Sequence, residues 1–146
     1  GLRNSAHSLV KLMNPVAGLA LVVGSYTHPE YATSMRDTFL LTGQPAMLLR
    51  GTEGEPVADA RRTPAMELVM NGEAEVVQPA QPGTLTDLPV LPDGIDADST
   101  ASYTLAVLMG QVPVPEPIWL QVERISRACK QLQSAGDTSA LGELAA

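Results

Sequence analysis

Three side chains near the start of the chain share one helical face. Arg3, His7 and Lys11 are each four residues from the last, and Asn4 lies beside Arg3. At about 1.5 Å rise per residue, Arg3 and Lys11 stand roughly 12 Å apart along that face. A guanidinium grips a carboxylate or phosphate as a two-pronged fork, and an ammonium binds phosphate as a point charge. The trio therefore suits an acidic small molecule or the backbone of a nucleic acid. Each residue also has a plainer reading. Arg3 can be half of an ion pair at the helix start, His7 a packing residue and Lys11 a solvated surface lysine. Only their coincidence on one face raises the binding reading, and the plainer readings stay open.

The helix that carries them is patterned on a second stripe, Leu9, Leu12 and Met13, at spacings of three and four. Pro15 ends it, because the residue before a proline is pushed out of helical geometry. With no initiator Met and no signal-like start, the chain reads as a piece of a longer protein.

Charge and composition narrow the classes. Hydrophobic residues make up 45% and charged residues 17%, proportions of an ordinary soluble domain. No apolar run is long enough to span a membrane, so no membrane partner is expected. A single cysteine, Cys129, excludes an internal disulfide and fits a reducing, cytoplasmic setting. It reads as a small core residue. The net charge of −7 argues against the chain wrapping nucleic acid by itself, but the charge is uneven. No Asp or Glu precedes Glu30, whereas the span from Gly51 to Asp98 holds ten acidic and two basic residues. One cationic edge on an acidic body results.

The elements that must position this edge follow. Leu19–Val23 is a continuous apolar run, as expected of a buried strand. Thr27-His28-Pro29-Glu30 starts a helix, with Thr27 as cap and Pro29 preset for the first turn. Tyr31, Met35 and Phe39 form its buried stripe, and Gly43 stops it. Ala46–Leu49 is the next strand, and the strand–helix–strand order implies a parallel pair. Residues 51–64 form a polar loop. Met66–Met70 and Ala74–Val77 flank Asn71-Gly72, a strong hairpin signal. Residues 78–98, with Pro79, Pro82, Pro89, Pro92, Gly83 and Gly94, form a Pro/Gly-rich surface loop. A helix over Ser99–Met109, capped by Asp98 or Ser99, comes next. A second begins at Pro117 with Ile118, Val122, Ile125, Cys129 and Leu132 as its stripe. Gly136 is expected to stop it, leaving Asp137 or Thr138 to cap a last short helix.

Three stretches carry a family resemblance: Gly1-Leu2-Arg3-Asn4-Ser5-Ala6-His7-Ser8-Leu9, Ser25-Tyr26-Thr27-His28-Pro29-Glu30-Tyr31, and Leu48-Leu49-Arg50-Gly51-Thr52-Glu53-Gly54-Glu55. Together they resemble the later half of the anthranilate phosphoribosyltransferase family (glycosyltransferase family 3). The opening string is similar to its YbiB-type, DNA-binding branch. The resemblance is specific up to about Pro64. It implies an α/β fold in which part of a mainly parallel sheet is flanked by helices, the large domain of a phosphoribosyltransferase or nucleoside-phosphorylase-like protein. Residues 1–146 would be the C-terminal portion of that domain, with the helical N-terminal domain and the phosphate-loop half lying outside this chain. It further implies a homodimer, and Arg3 matches the family's substrate-carboxylate arginine.

The family's metal chemistry is the sharper test. Family enzymes carry an adjacent Asp-Glu pair shortly after a strand-ending glycine. Aligned on Gly51-Thr52-Glu53-Gly54, that pair falls on Pro56-Val57, whose side chains have no oxygen for magnesium. A shifted Glu53/Glu55 pair is the only local substitute. Gly51–Glu55 is a poor phosphate cradle, because its two carboxylates would repel the anion, and reads as a solvated turn. The leading expectation is a protein that binds single-stranded nucleic acid non-specifically through its phosphates, with no catalytic residue, metal or cofactor in this chain and no anthranilate transferase activity. The alternative is a phosphoribosyltransferase acting on a small aromatic acceptor, with Mg and phosphoribosyl pyrophosphate held outside this chain. A structural or dimerisation role is the third.

Overall fold

The computed structural model describes residues 9–51, 55–85 and 88–143, with side chains as far as Ala135. Four strands form one open sheet in the order β1-β2-β3-β4: β1 Val22–Tyr26, β2 Ala46–Arg50, β3 Met66–Met70 and β4 Glu73–Gln78. Three helices complete the described elements: α1 Pro29–Thr42, α2 Ala97–Leu108 and α3 Glu116–Glu143.

β2 is the centre of the fold. Ala46, Met47, Leu48 and Leu49 are all essentially buried, as a strand covered on both faces requires. Alternate residues split into two cores. Ala46, Leu48 and Val69 pack with Met35 and Phe39 of α1, joined at the margin by Leu12, Val22 and Tyr26. Met47, Leu49, Met66 and Leu68 pack on the other face with Ala58 and with Ala128 of α3.

Only β1 and β2 are parallel, with Val22 opposite Ala46 and Tyr26 opposite Arg50. β2–β3 and β3–β4 are antiparallel. The sheet is therefore mixed, and the expectation of a mainly parallel sheet is corrected. A parallel return needs a crossover, normally a helix. Residues 51–65 contain no helix among those described, and β3 turns into β4 through Asn71-Gly72 alone. Both residues have positive φ, 55° and 79°, the geometry of a type I′ turn.

Several boundaries also move. β1 starts at Val22 rather than Leu19, which stands exposed. Residues before β1 are held instead by side-chain bonds. The Gln44 amide donates to the Ala20 carbonyl (3.0 Å), and the Asn14 amide donates to Gln44 Oε1 (3.0 Å). α1 is preceded by His28 at the N-cap, not Thr27, and no side chain caps it. Met35 and Phe39 are buried, but Tyr31 of the expected stripe is 49% exposed, because the first turn of α1 lies at the sheet's end. α1 does end at Gly43, at φ 66°. α2 begins two residues before the expected start and is capped by Asp96, which accepts from the Ser99 amide (2.9 Å). α2 buries none of its side chains.

α3 runs through Gly136 to Glu143, so the expected stop and the last short helix are corrected. One glycine costs a helix only about 1 kcal/mol relative to alanine, too little to end it unaided. The stripe of α3 is also rotated. Pro117, Gln121, Ala128 and Leu132 are buried, with Ile125 partly so, while Val122 is exposed and Cys129 is half-buried.

Candidate functional site

In open α/β sheets, ligands bind outside the carboxyl ends of parallel strands. Here β1 and β2 are that pair, and Lys11 is brought to their end. Leu9 and Val10 are helical, but the helix expected to run to Pro15 ends there, so Lys11 sits in a turn and not on a helical face. The Leu12 amide donates to the Leu9 carbonyl (3.0 Å) and the Met13 amide to the Val10 carbonyl (3.2 Å). Leu12 tucks into the core on the α1 side. Lys11, one residue earlier, reaches β1, and its Nζ donates to the Ser25 carbonyl (3.3 Å).

Glycines allow this close packing. A Cβ on Gly51 would sit 2.8 Å from the Glu55 carbonyl oxygen and 3.1 Å from Ser25 Cβ. The Gly51 amide in turn donates to the Tyr26 carbonyl (3.0 Å), continuing the β1–β2 ladder past the strand ends. On Gly24, a Cβ would meet Met35 Cε at 3.0 Å and Leu48 Cδ2 at 3.2 Å.

The charges around this end are unequally committed. Arg36 of α1 pairs with Glu67 of β3 at 3.1 Å, both largely shielded. Tyr26 sits in their field. Burial, and then the Glu67 carboxylate, raise its phenol above the usual tyrosine value, while Arg50 and Arg36 pull the other way. Arg50 is directly opposite Tyr26 and exposed, and among the described residues no ion pair engages it. Among the described residues no ion pair engages half-buried Lys11 either. Two cations without a carboxylate partner among the described residues thus stand at the end of one strand pair. Exposed Glu73 and Glu75 lie on β4, three strand spacings or roughly 14 Å from β1 and two or roughly 10 Å from β2.

Two exposed rings adjoin the same end. His28 and Tyr31 have centroids 6.1 Å apart at 51° to each other. Glu30 lies between them in the first turn of α1.

Of the sequence-derived site residues, Arg3, Asn4 and His7 lie outside the described residues, as does Glu53. Lys11 is placed at the strand end. Pro56 and Val57 are exposed, and the loop they form is clamped by buried Gln121. Gln121 Nε2 donates to the Pro56 carbonyl and Oε1 accepts from the Ala58 amide, both at 2.8 Å. Among the described residues, no three His, Cys, Asp or Glu side chains gather as a metal site. A cleft of about 250 Å³ opens elsewhere, lined by Leu68, Met70, Asn71, Glu73, Glu75 and Gln131. Its carboxylates suit no phosphate.

Sequence reasoning passed over Arg50 and Gln121. Arg50 had a signal, a lone cation closing an apolar strand run. Gln121 had none, since one polar residue on a helix is ordinarily solvated.

No protein-family profile matches the chain. It is 37% identical over 123 residues to the uncharacterised protein YbiB of Escherichia coli K12. That alignment takes in 84% of this chain and 38% of YbiB, so the chain spans under two-fifths of its relative's length. Among the described residues, no helix is long and apolar enough to cross a membrane.

Proposed function

We propose that this chain is the C-terminal part of a YbiB-like protein of the anthranilate phosphoribosyltransferase type, which binds nucleic acid non-specifically through its phosphates and has lost anthranilate transfer. The observation that carries the reading is the pair of cations, Lys11 and Arg50, at the carboxyl end of β1 and β2. Phosphate contacts position a strand without reading bases, so sequence independence follows from the chemistry. Identity to YbiB supports the relationship. The loss of transferase activity rests on Pro56-Val57, where two carboxylates would be needed and where the backbone is bonded to Gln121.

The reading also assigns partners. Leu9, Val10, Met13, Val16 and Leu19 are exposed along the approach to β1, and β1 itself is an uncharged edge strand. Such surfaces pair or aggregate unless covered. The remaining length of a YbiB-sized polypeptide would cover them, within a cytoplasmic homodimer.

The test is a fluorescence-anisotropy titration of the full-length protein with single-stranded oligonucleotides of unrelated sequence across a range of salt. Lys11→Ala and Arg50→Ala should each weaken all sequences alike and lower the salt slope by about 0.7 for every phosphate that is no longer neutralised. Arg3→Ala should add to them. Unchanged affinity in the triple variant would overturn the reading. So would sub-millimolar, magnesium-dependent binding of phosphoribosyl pyrophosphate, which would favour the transferase alternative.

A further inference from the structure

Aromatic residues are few in this chain, one Trp, three Tyr and one Phe, yet Trp119 and Tyr31 are exposed, Tyr31 on the helix that follows β1. Tyr31 continues the Met35/Phe39 stripe in sequence and still stands 49% exposed, with the exposed His28 ring tilted beside it. Pro29 fixes the backbone between them. His28 is extended at φ −115°, ψ 139°, and Pro29 occupies the first turn of α1. The pair is therefore held with little conformational freedom left to lose. Ser25, whose carbonyl receives the Lys11 amine, is three residues before His28, at most about 10 Å of backbone.

The surroundings divide the surface into two kinds of binding. Glu30, in the turn that carries the rings, repels phosphate from them. Lys11, at the Ser25 carbonyl, and Arg50, opposite Tyr26, attract it. A ligand that is anionic along one edge and flat, neutral and π-rich along the other fits both halves. A nucleic acid with unpaired bases is such a ligand. In a duplex the faces of the bases are taken up by their neighbours.

Building on the phosphate-binding reading above, we infer that His28 and Tyr31 are a base-stacking platform, so that this site takes single-stranded rather than duplex nucleic acid. Stacking on an aromatic ring tolerates any base, since every base has a π face. Selectivity for the strand state and indifference to sequence then arise at the same place.

Full-length protein should be titrated with a single-stranded oligonucleotide carrying 2-aminopurine and, separately, with a labelled duplex of the same sequence. Stacking should quench the 2-aminopurine fluorescence. Tyr31→Ala should abolish the quench and weaken single-strand binding about tenfold or more, with the salt slope and duplex affinity unchanged. Tyr31→Phe should behave as the unmodified protein, and His28→Ala should lie between. If Tyr31→Ala together with His28→Ala binds the single strand as tightly as before, the platform is refuted. An equal fall in affinity on single strand and duplex refutes it too. Should those variants be silent while Lys11→Ala and Arg50→Ala weaken binding, the platform alone falls. Binding of neither nucleic acid by the unmodified protein sinks the platform and the phosphate reading together.

Discussion

Gln121→Ala is the substitution whose effect follows most directly from the structure. The Gln121 side chain is 5% exposed and makes two 2.8 Å bonds to one loop. Removing it affects the two partners differently. Pro56 is an exposed residue, so water can replace the amide at its carbonyl at small cost. Ala58 is 4% exposed, and its N–H is left without a partner, which costs about 1–3 kcal/mol. The space vacated by the side chain adds on the order of 1 kcal/mol. Together these give about 2–4 kcal/mol. For a chain of this size each kcal/mol moves the melting temperature by about 3 °C, so a fall of about 6–12 °C is expected. Urea unfolding and thermal melts followed by circular dichroism would measure it. Gln121→Glu sharpens the test. Ionised, it still accepts from Ala58 but faces the Pro56 carbonyl with a second acceptor. Protonated, it can donate again. The variant should therefore be less stable at neutral pH than in acid, where the protonated carboxyl can restore both bonds. A Gln121→Ala protein within about 0.5 kcal/mol of the unmodified one, with unchanged urea dependence, would refute the clamp.

Gly51→Ala should destabilise by about 1–3 kcal/mol, because its Cβ would meet the Glu55 carbonyl at 2.8 Å, backbone that cannot swing aside. Denaturant unfolding would read this, and nucleic-acid binding should weaken with it, since Gly51 adjoins Arg50. Asp96 accepts from the Ser99 amide and hydroxyl, which hold its carboxyl below the usual carboxylate value. A depressed folded pKa means that the cap stabilises α2 above the ordinary Asp range and ceases to do so as pH falls through the depressed value. The Ser99 amide proton should therefore shift upfield in NMR spectra on acidification, and Asp96→Asn should show a smaller shift over the same window.

The local elements were largely legible in the residues. Pro29 and Gly43 bracket α1, Asn71-Gly72 marks the β3–β4 turn, and the apolar run at Ala46–Leu49 is the central strand. Each of these depends on backbone geometry or burial that a few adjacent residues impose by themselves. The candidate site was legible only in part. Lys11 was singled out by its charge and spacing, but its destination at the Ser25 carbonyl depends on Leu12 entering a core made by α1 and β2. Arg36 and Arg50 look alike in sequence. One is spent on Glu67 and the other is not, a difference set by which strand lies opposite.

Sequence by itself determined the order of most helices and strands, the tight turn, the cationic start and the absence of carboxylates at Pro56-Val57. It did so because propensity, proline and glycine geometry and side-chain chemistry act within a few residues. Tertiary structure decided that the sheet is mixed, that α3 turns Gln121 rather than Val122 inward, and that Lys11 reaches the Ser25 carbonyl at the strand end where Arg50 also lies and after which two exposed rings follow. Those outcomes depend on packing between residues far apart in the chain, where an unsatisfied Ala58 amide or a covered sheet face outweighs the local preference of any single residue.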